Sequence, residues 1–258
     1  MRWPVSLALA LVAVLFAAIA TPPPAAAVAP VPVIFGNSWD GPAHDLQVIV
    51  DNYIGVPGAI NTRTDYEGAR PGDIDPWFWV GPGFPALMVT EVAGNADINV
   101  LGWYKENGLP PVIDGVDDGV VFTGPQGGGS GTVVSFPSGT TKFGFYLDTQ
   151  QYFTGPDGQA HRQIFFTNRF DNDKGLHGAG ATHVPYDGDV QALVYDVSRW
   201  KGPNTWLVCF EDLDAGGPVT PCCSGTDDDY NDMVFEVQAL GATPTRTLSF
   251  GALKSRYR

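Results

Sequence analysis

The stretch TWLVCFED (205–212) alternates with a period of two: Trp206, Val208 and Phe210 fall on one side, Leu207 and Cys209 on the other. MVFEVQAL (233–240) repeats the pattern, with Met233, Phe235 and Val237 inward and Glu236 and Gln238 outward. That period belongs to extended chain whose successive side chains point to opposite faces of a sheet. Similar runs recur at ALMVTEVAG (86–94), INVLGWYKENG (98–108), GVVFTG (119–124), TVVSF (132–136), KFGFYLDT (142–149), RQIFFTN (162–168) and VQALVYDV (190–197). Turn-forming residues separate them, drawn from 32 glycines and 22 prolines. PSGTT, between TVVSF and KFGFYLDT, reads as the turn of a hairpin. LQVIVDNYI (46–54) is apolar at 46, 49, 50, 53 and 54 and fits either one amphipathic helix or a buried strand. The crossover helices that a parallel sheet requires are missing. The expected fold is therefore all-β: an antiparallel β-sandwich, jelly-roll-like, with at most one or two short helices.

The N-terminus sets the compartment. Arg2 leads an apolar run, VSLALALVAVLFAAIA, that ends in small residues, the pattern of a secretory signal peptide over 1–20. Cleavage after Ala20 is the first choice and after Ala27 the second. The run is shorter than the roughly 20 residues a membrane span needs, so no transmembrane span is expected in the mature chain. A Pro/Ala-rich linker follows over 21–44. A β-rich half spans 45–125, a β-sandwich half 126–240, and a basic tail 241–258. The tail, with Arg246, Lys254, Arg256 and Arg258, reads either as a recognition tail for sorting or as a frayed end resting on an acidic body.

Net charge is −14, and 23 of the 28 acidic residues are aspartate. Aspartate suits loops and is a compact oxygen ligand, so the skew points to loops that hold cations. The lack of a basic patch argues against nucleic acid as a partner. Three cysteines, Cys209, Cys222 and Cys223, leave one thiol unpaired if a bridge forms in an exported protein. Cys209 with Cys222 or Cys223 would close a loop of about 14 residues, stabilising by roughly 3 kcal/mol; all three reduced is the alternative.

The acidic residues concentrate around the last two strands. One strand exits in Glu211-Asp212, and the next enters through Asp227-Asp228-Asp229-Tyr230-Asn231-Asp232. If the two strands pair, both clusters lie at one edge of the sheet, where crowded carboxylates must protonate or take a cation. Calcium is the expected ion, with one or two held, since it accepts Asp, Asn and carbonyl oxygens in irregular geometry. Extended alternation would set Asp227, Asp229 and Asn231 on one side and Asp228, Tyr230 and Asp232 on the other. An EF-hand is excluded: aligned on Asp227, the loop puts Asp232 at the turn glycine and Gln238 at the bidentate glutamate. A solvated, capped loop without an ion is the competing reading.

FED, a loop, and then DxDYNDMVF resemble the signature of the domain-of-unknown-function family numbered 4114, found in secreted and surface bacterial proteins. GFYLDTQQYFT (144–154), NDKGLH (172–177) and WLVCFED add to the likeness, which covers about residues 45–240. The resemblance implies an exported β-rich module that binds calcium and has no established enzymatic activity. Its motif falls on Glu211, Asp212, Asp227, Asp229, Asn231 and Asp232. The middle loop GGPVTPCCSGT is longer than the family pattern and carries two of the cysteines.

Other features carry less. Trp77, Phe78 and Trp79 form either a sugar-stacking platform or a buried edge. His177, near Asp171 and Asp173, reads as a surface loop residue rather than a ligand. No GxSxG elbow, HExxH or phosphate loop is present, so catalysis is not expected. The functional expectation is an exported, non-catalytic calcium-binding module with a structural, adhesive or cell-surface role. Its partner would be a protein or glycan component of a cell surface or extracellular matrix. The alternative is a calcium-organised carbohydrate-binding module using Trp77 and Trp79.

Overall fold

The structure is a computed structural model. It describes residues 33, 35–38, 40–69, 78–79, 83–94, 96–106, 111–137, 139–140, 142–154, 160–172, 190–213 and 227–238. In chain order the elements are α1 (Leu46–Ile54), β1 (Phe78–Trp79), β2 (Gly83–Glu91), β3 (Val100–Lys105), β4 (Asp118–Thr123), β5 (Gly131–Ser135) and β6 (Lys142–Thr154). They continue with β7 (Ala160–Phe166), α2 (Arg169–Asn172), β8 (Ala192–Asp196), α3 (Ser198–Lys201), β9 (Thr205–Phe210) and β10 (Met233–Gln238). The strands form two antiparallel sheets. One runs β1-β6-β3-β4, with β7 also on β6; the other runs β5-β2-β10-β9-β8.

The all-β sandwich read from the alternation is present. Phe84 and Met88 of β2, Trp103 of β3, Phe143 and Phe145 of β6, Val208 and Phe210 of β9, and Phe235 of β10 share one buried cluster between the sheets. Their rings interlock: Phe84 stacks on Phe143 at 5.2 Å, and Phe145 meets Phe235 edge-on at 5.0 Å. Burying a large apolar side chain contributes about 1.5–3 kcal/mol, so this layer dominates the stability.

Two details differ from the sequence reading. TVVSF and KFGFYLDT do not form a hairpin: β5 pairs with β2 and β6 with β3, so PSGTT carries the chain from one sheet to the other. Both strands turn apolar residues into the same core from opposite sides, Val134 from β5 and Phe143 and Phe145 from β6, which an in-sheet hairpin could not do. Beside the strands lie the helix α1 and two single helical turns, α2 next to β7 and α3 next to β9. And the two halves divided at residue 126 share one core, with β2 lying between β5 and β10. The first long strand beside the last is a closure that jelly rolls also use. Here, however, β3–β4, β6–β7 and β8–β9–β10 each stay within one sheet.

A second layer covers the outer face of β8–β10. LQVIVDNYI is the helix α1, begun by Asp45, whose side chain accepts from the Gln47 N–H at 2.8 Å, and ended by Gly55 in the left-handed region. Leu46, Val50 and Ile54 line its buried stripe and join Leu207, Cys209 and Val234. The residues just before it, expected as part of a linker, pack here as well. Phe35 lies 5.8 Å from the ring of Tyr230 and 6.2 Å from that of Tyr66. On the opposite sheet, Gly102 faces Tyr146 and Gly144 faces Tyr104 across β3 and β6. Each glycine leaves room for the partner ring, and a Cβ on Gly144 would meet Tyr104 at 2.6 Å. Among the described residues no helix is long and apolar enough to cross a membrane.

Candidate cation site

The β9–β10 hairpin delivers the acidic residues as the sequence pattern suggested. Met233 pairs with Phe210, so Glu211 and Asp232 emerge side by side. The ladder extends past both: the Glu211 N–H donates to the Gln191 carbonyl at 3.0 Å, and the Val92 N–H to the Asp232 carbonyl at 3.1 Å. Backbone pairing thus fixes two carboxylates at the strand ends, and the preceding loop folds back to add a third. Carboxylate oxygens of Glu211, Asp229 and Asp232 all lie within 4.8 Å of one another.

Simple extended alternation does not hold in the loop. Asp229 and Asp232, expected on opposite sides, converge, because Asp228 (φ 52°) and Tyr230 (φ 56°) occupy the left-handed region. That conformation costs of order 1 kcal/mol or more for a bulky residue and persists only when its surroundings over-determine it. Tyr230 is held by its hydroxyl, which donates to the Val190 carbonyl at 2.8 Å, and by the ring of Phe35.

The three converging carboxylates are removed from water, with Glu211 0%, Asp229 6% and Asp232 4% exposed. Burial pushes Glu211 up to about 8, and the charges of Asp227 and Asp229 push the same way. Burial also raises Asp229 to about 7, with Asp227 adding to the rise. Asp232 is driven well above the usual carboxylate range by burial and by its neighbours Glu211 and Asp212. Oε1 of Glu211 has no hydrogen-bond partner among the described residues. Two bare charges at this spacing repel by about 3–4 kcal/mol even at an effective dielectric near 20, so the cluster needs protons or a cation.

The other predicted ligands surround this triad. The Asp212 N–H donates to Asp232 Oδ2 at 2.7 Å, and its own Oδ2 accepts from Asn99 Nδ2 at 3.2 Å. Asp227 is half-buried at the loop entrance. Asn231 acts as a donor rather than a ligand here. Its Nδ2 reaches Asp229 Oδ2 at 2.6 Å, the His44 carbonyl at 2.7 Å and Ser38 Oγ at 3.0 Å. The Gly36 N–H donates to the Asp228 carbonyl at 2.9 Å, and a side chain at 36 would collide with the Asp227 backbone. Residues 35–38 and 40–44 therefore form a strap across the acidic loop. Ser38, His44, Asn99 and Glu91 were missed from sequence, since they lie far away along the chain and belong to no local motif.

Cys209 is a free thiol, fully buried against α1, and burial pushes it well above the usual thiol range. Its candidate partners, Cys222 and Cys223, lie outside the described residues. So do Trp77, His177, the segment 1–32 and the basic tail. Phe78 and Trp79 form β1, paired with Phe143 and Lys142.

Fold and site together define a two-sheet antiparallel sandwich with a buried carboxylate triad at one end. No family model, no curated protein and no solved structure matches the chain.

Proposed function

We propose that the chain is an exported, non-catalytic module in which calcium, held by Glu211, Asp229 and Asp232, fixes one end of a β-sandwich. The observation that carries this reading is the convergence of three buried carboxylates within 4.8 Å, one of them with an oxygen that has no hydrogen-bond partner among the described residues. The donor set is all hard oxygen, which disfavours zinc and copper. Magnesium gives up its water reluctantly, and a site this dry suits it poorly. The strap and the acidic loop meet at the cluster, so ion binding would order both. The N-terminal apolar run supports export. The role that follows is structural or adhesive, toward a protein or glycan of a cell surface or extracellular matrix.

The test is a thermal melt of the purified chain with calcium, magnesium, manganese or chelator, repeated for Asp229→Ala. Calcium binding only the native state adds about 2.7 kcal/mol at a hundred times the dissociation constant. That increment should vanish in the variant. Identical melting with calcium and with chelator would remove the reading.

A further inference from the structure

The second sheet ends in an open strand, β5. Its pairing with β2 sets Val133 opposite Pro85, which has no N–H to offer. The Met88 N–H donates to the Ser130 carbonyl at 2.8 Å, so the bonds to β2 fall on the even-numbered residues. Gly131, Val133 and Ser135 therefore turn their N–H and C=O groups away from the sheet, and all three residues are exposed. Among the described residues no strand pairs with β5 on that side. Edges of this kind are ordinarily blunted by a charge, a proline, a bulge or a covering loop. The other outer strands show such devices. β4 starts at Asp118, whose carboxylate folds against the Asp114 backbone, and it carries a bulge against β3. β7 bears the exposed Arg162. The Glu67 N–H covers the Val194 carbonyl of β8 at 2.8 Å. β5 has none of these, and residues 119–141 hold no charged side chain in a chain of net charge −14. On the outer face beside this edge, Val133 is 73% and Leu87 37% exposed.

We infer that β5 is an interaction surface for a second copy of this chain, the two strands pairing antiparallel about a two-fold axis at Val133. The open groups are self-complementary in that register. Val133 exchanges both backbone bonds with its counterpart, and Gly131 of each copy exchanges both with Ser135 of the other, so no outward group along the strand is left over. The two Val133 side chains then lie side by side, an arrangement in which β-branched residues cover one another across strands. The two five-stranded sheets join into one. Charge directs a second copy to this edge. Two strongly negative bodies repel, and the uncharged stretch is where they approach at least cost. The contact is small, so the dimer is weak and reversible, and salt strengthens it by screening the repulsion.

The experiment is sedimentation equilibrium of the purified full chain from micromolar to millimolar concentration, at low and moderate salt, for wild type, Val133→Lys and Val133→Pro. Val133→Lys sets like charges face to face at an exposed position. Val133→Pro removes the outward N–H and leaves the bonds to β2, which come from Thr132 and Val134. Wild type is expected to dimerise reversibly, and more tightly at moderate salt. Both variants should associate more weakly by about tenfold or more. Melting of Val133→Lys at dilute concentration, where wild type is monomeric, should match wild type, which separates loss of contact from loss of fold. Spin labels on Val133→Cys, in a Cys222→Ser, Cys223→Ser background, should lie closer together in the dimer than labels on Leu87→Cys. A wild type that stays monomeric throughout would overturn the inference. So would a dimer that Val133→Lys leaves intact, or one whose labels are closer at 87 than at 133, since the contact would then lie on another face.

Discussion

The side-chain amide of Asn231 donates to the backbone carbonyl of His44 at 2.7 Å, joining the loop before the last strand to the segment before the first helix. The same nitrogen reaches Ser38 and Asp229, so one side chain ties the strap to the triad. Asn231→Ala should leave buried acceptors unpaired and destabilise by about 1–3 kcal/mol. Hydrogen exchange should show the loss first in residues 35–45, while β3 and β6 keep their protection.

Gly36 tests the same junction without touching a carboxylate. A methyl there meets the Asp227 backbone, which no side-chain rotation can relieve. Gly36→Ala should undock the strap and weaken the calcium binding proposed for the triad. Limited proteolysis should then cut near residues 33–44 under conditions that leave wild type intact.

The pH response follows from the raised acids. Without a cation, native Glu211 and Asp229 keep protons that the unfolded chain releases near 4.5 and 3.8. Stability is therefore full below those values. It falls as pH rises toward about 8 for Glu211 and about 7 for Asp229. Each group contributes up to about 1.4 kcal/mol per pH unit within its window. Calcium bound as proposed would favour the charged forms and should flatten the slope. Denaturant midpoints from pH 4 to 8, with and without calcium, check both statements.

The tyrosine–glycine pairs make a prediction far from the site. Gly102→Ala pushes a Cβ into the ring of Tyr146 and should cost about 1–3 kcal/mol. Tyr146→Ala made together with Gly102→Ala should cost less than the sum of the two, which a double-mutant cycle in urea measures.

Cys209 should resist thiol reagents in the native state and react only on unfolding, because its sulfur is wholly buried. Maleimide labelling in a Cys222→Ser, Cys223→Ser background checks this. Rapid native labelling would contradict the burial.

The strands were legible because their alternation is a local pattern: Trp206, Val208 and Phe210 do face the core, and Leu207 and Cys209 do face α1. The helix was only half legible. Nine residues are too few to separate the periods, although Asp45 and Gly55 punctuate both ends. At the site, the pairing of β9 with β10 brought Glu211 and Asp232 together as their sequence neighbours implied. The side assignments within the loop failed because left-handed residues at Asp228 and Tyr230 turn the backbone out of extended geometry. The strap, Glu91 and Asn99 reach the site only through tertiary contacts, which no spacing in the sequence encodes. The crossing at PSGTT was hidden for a related reason: a short polar turn looks the same whether the next strand returns to its own sheet or joins the facing one.

β10 lies in the interior of its sheet, between β2 and β9, and pairs Val237 with Ala86 across more than half the chain. A polypeptide released amino end first can close β3 on β4 and β6 on β7 early. It cannot complete this sheet, or seat α1 on its outer face, until residue 238 is free. The acidic loop is thus among the last segments to arrive, and its carboxylates come together only at that final step. An ion at this position would be installed as the fold closes rather than loaded into a waiting pocket. A chain interrupted before β10 would display uncovered apolar faces and bind no ion there.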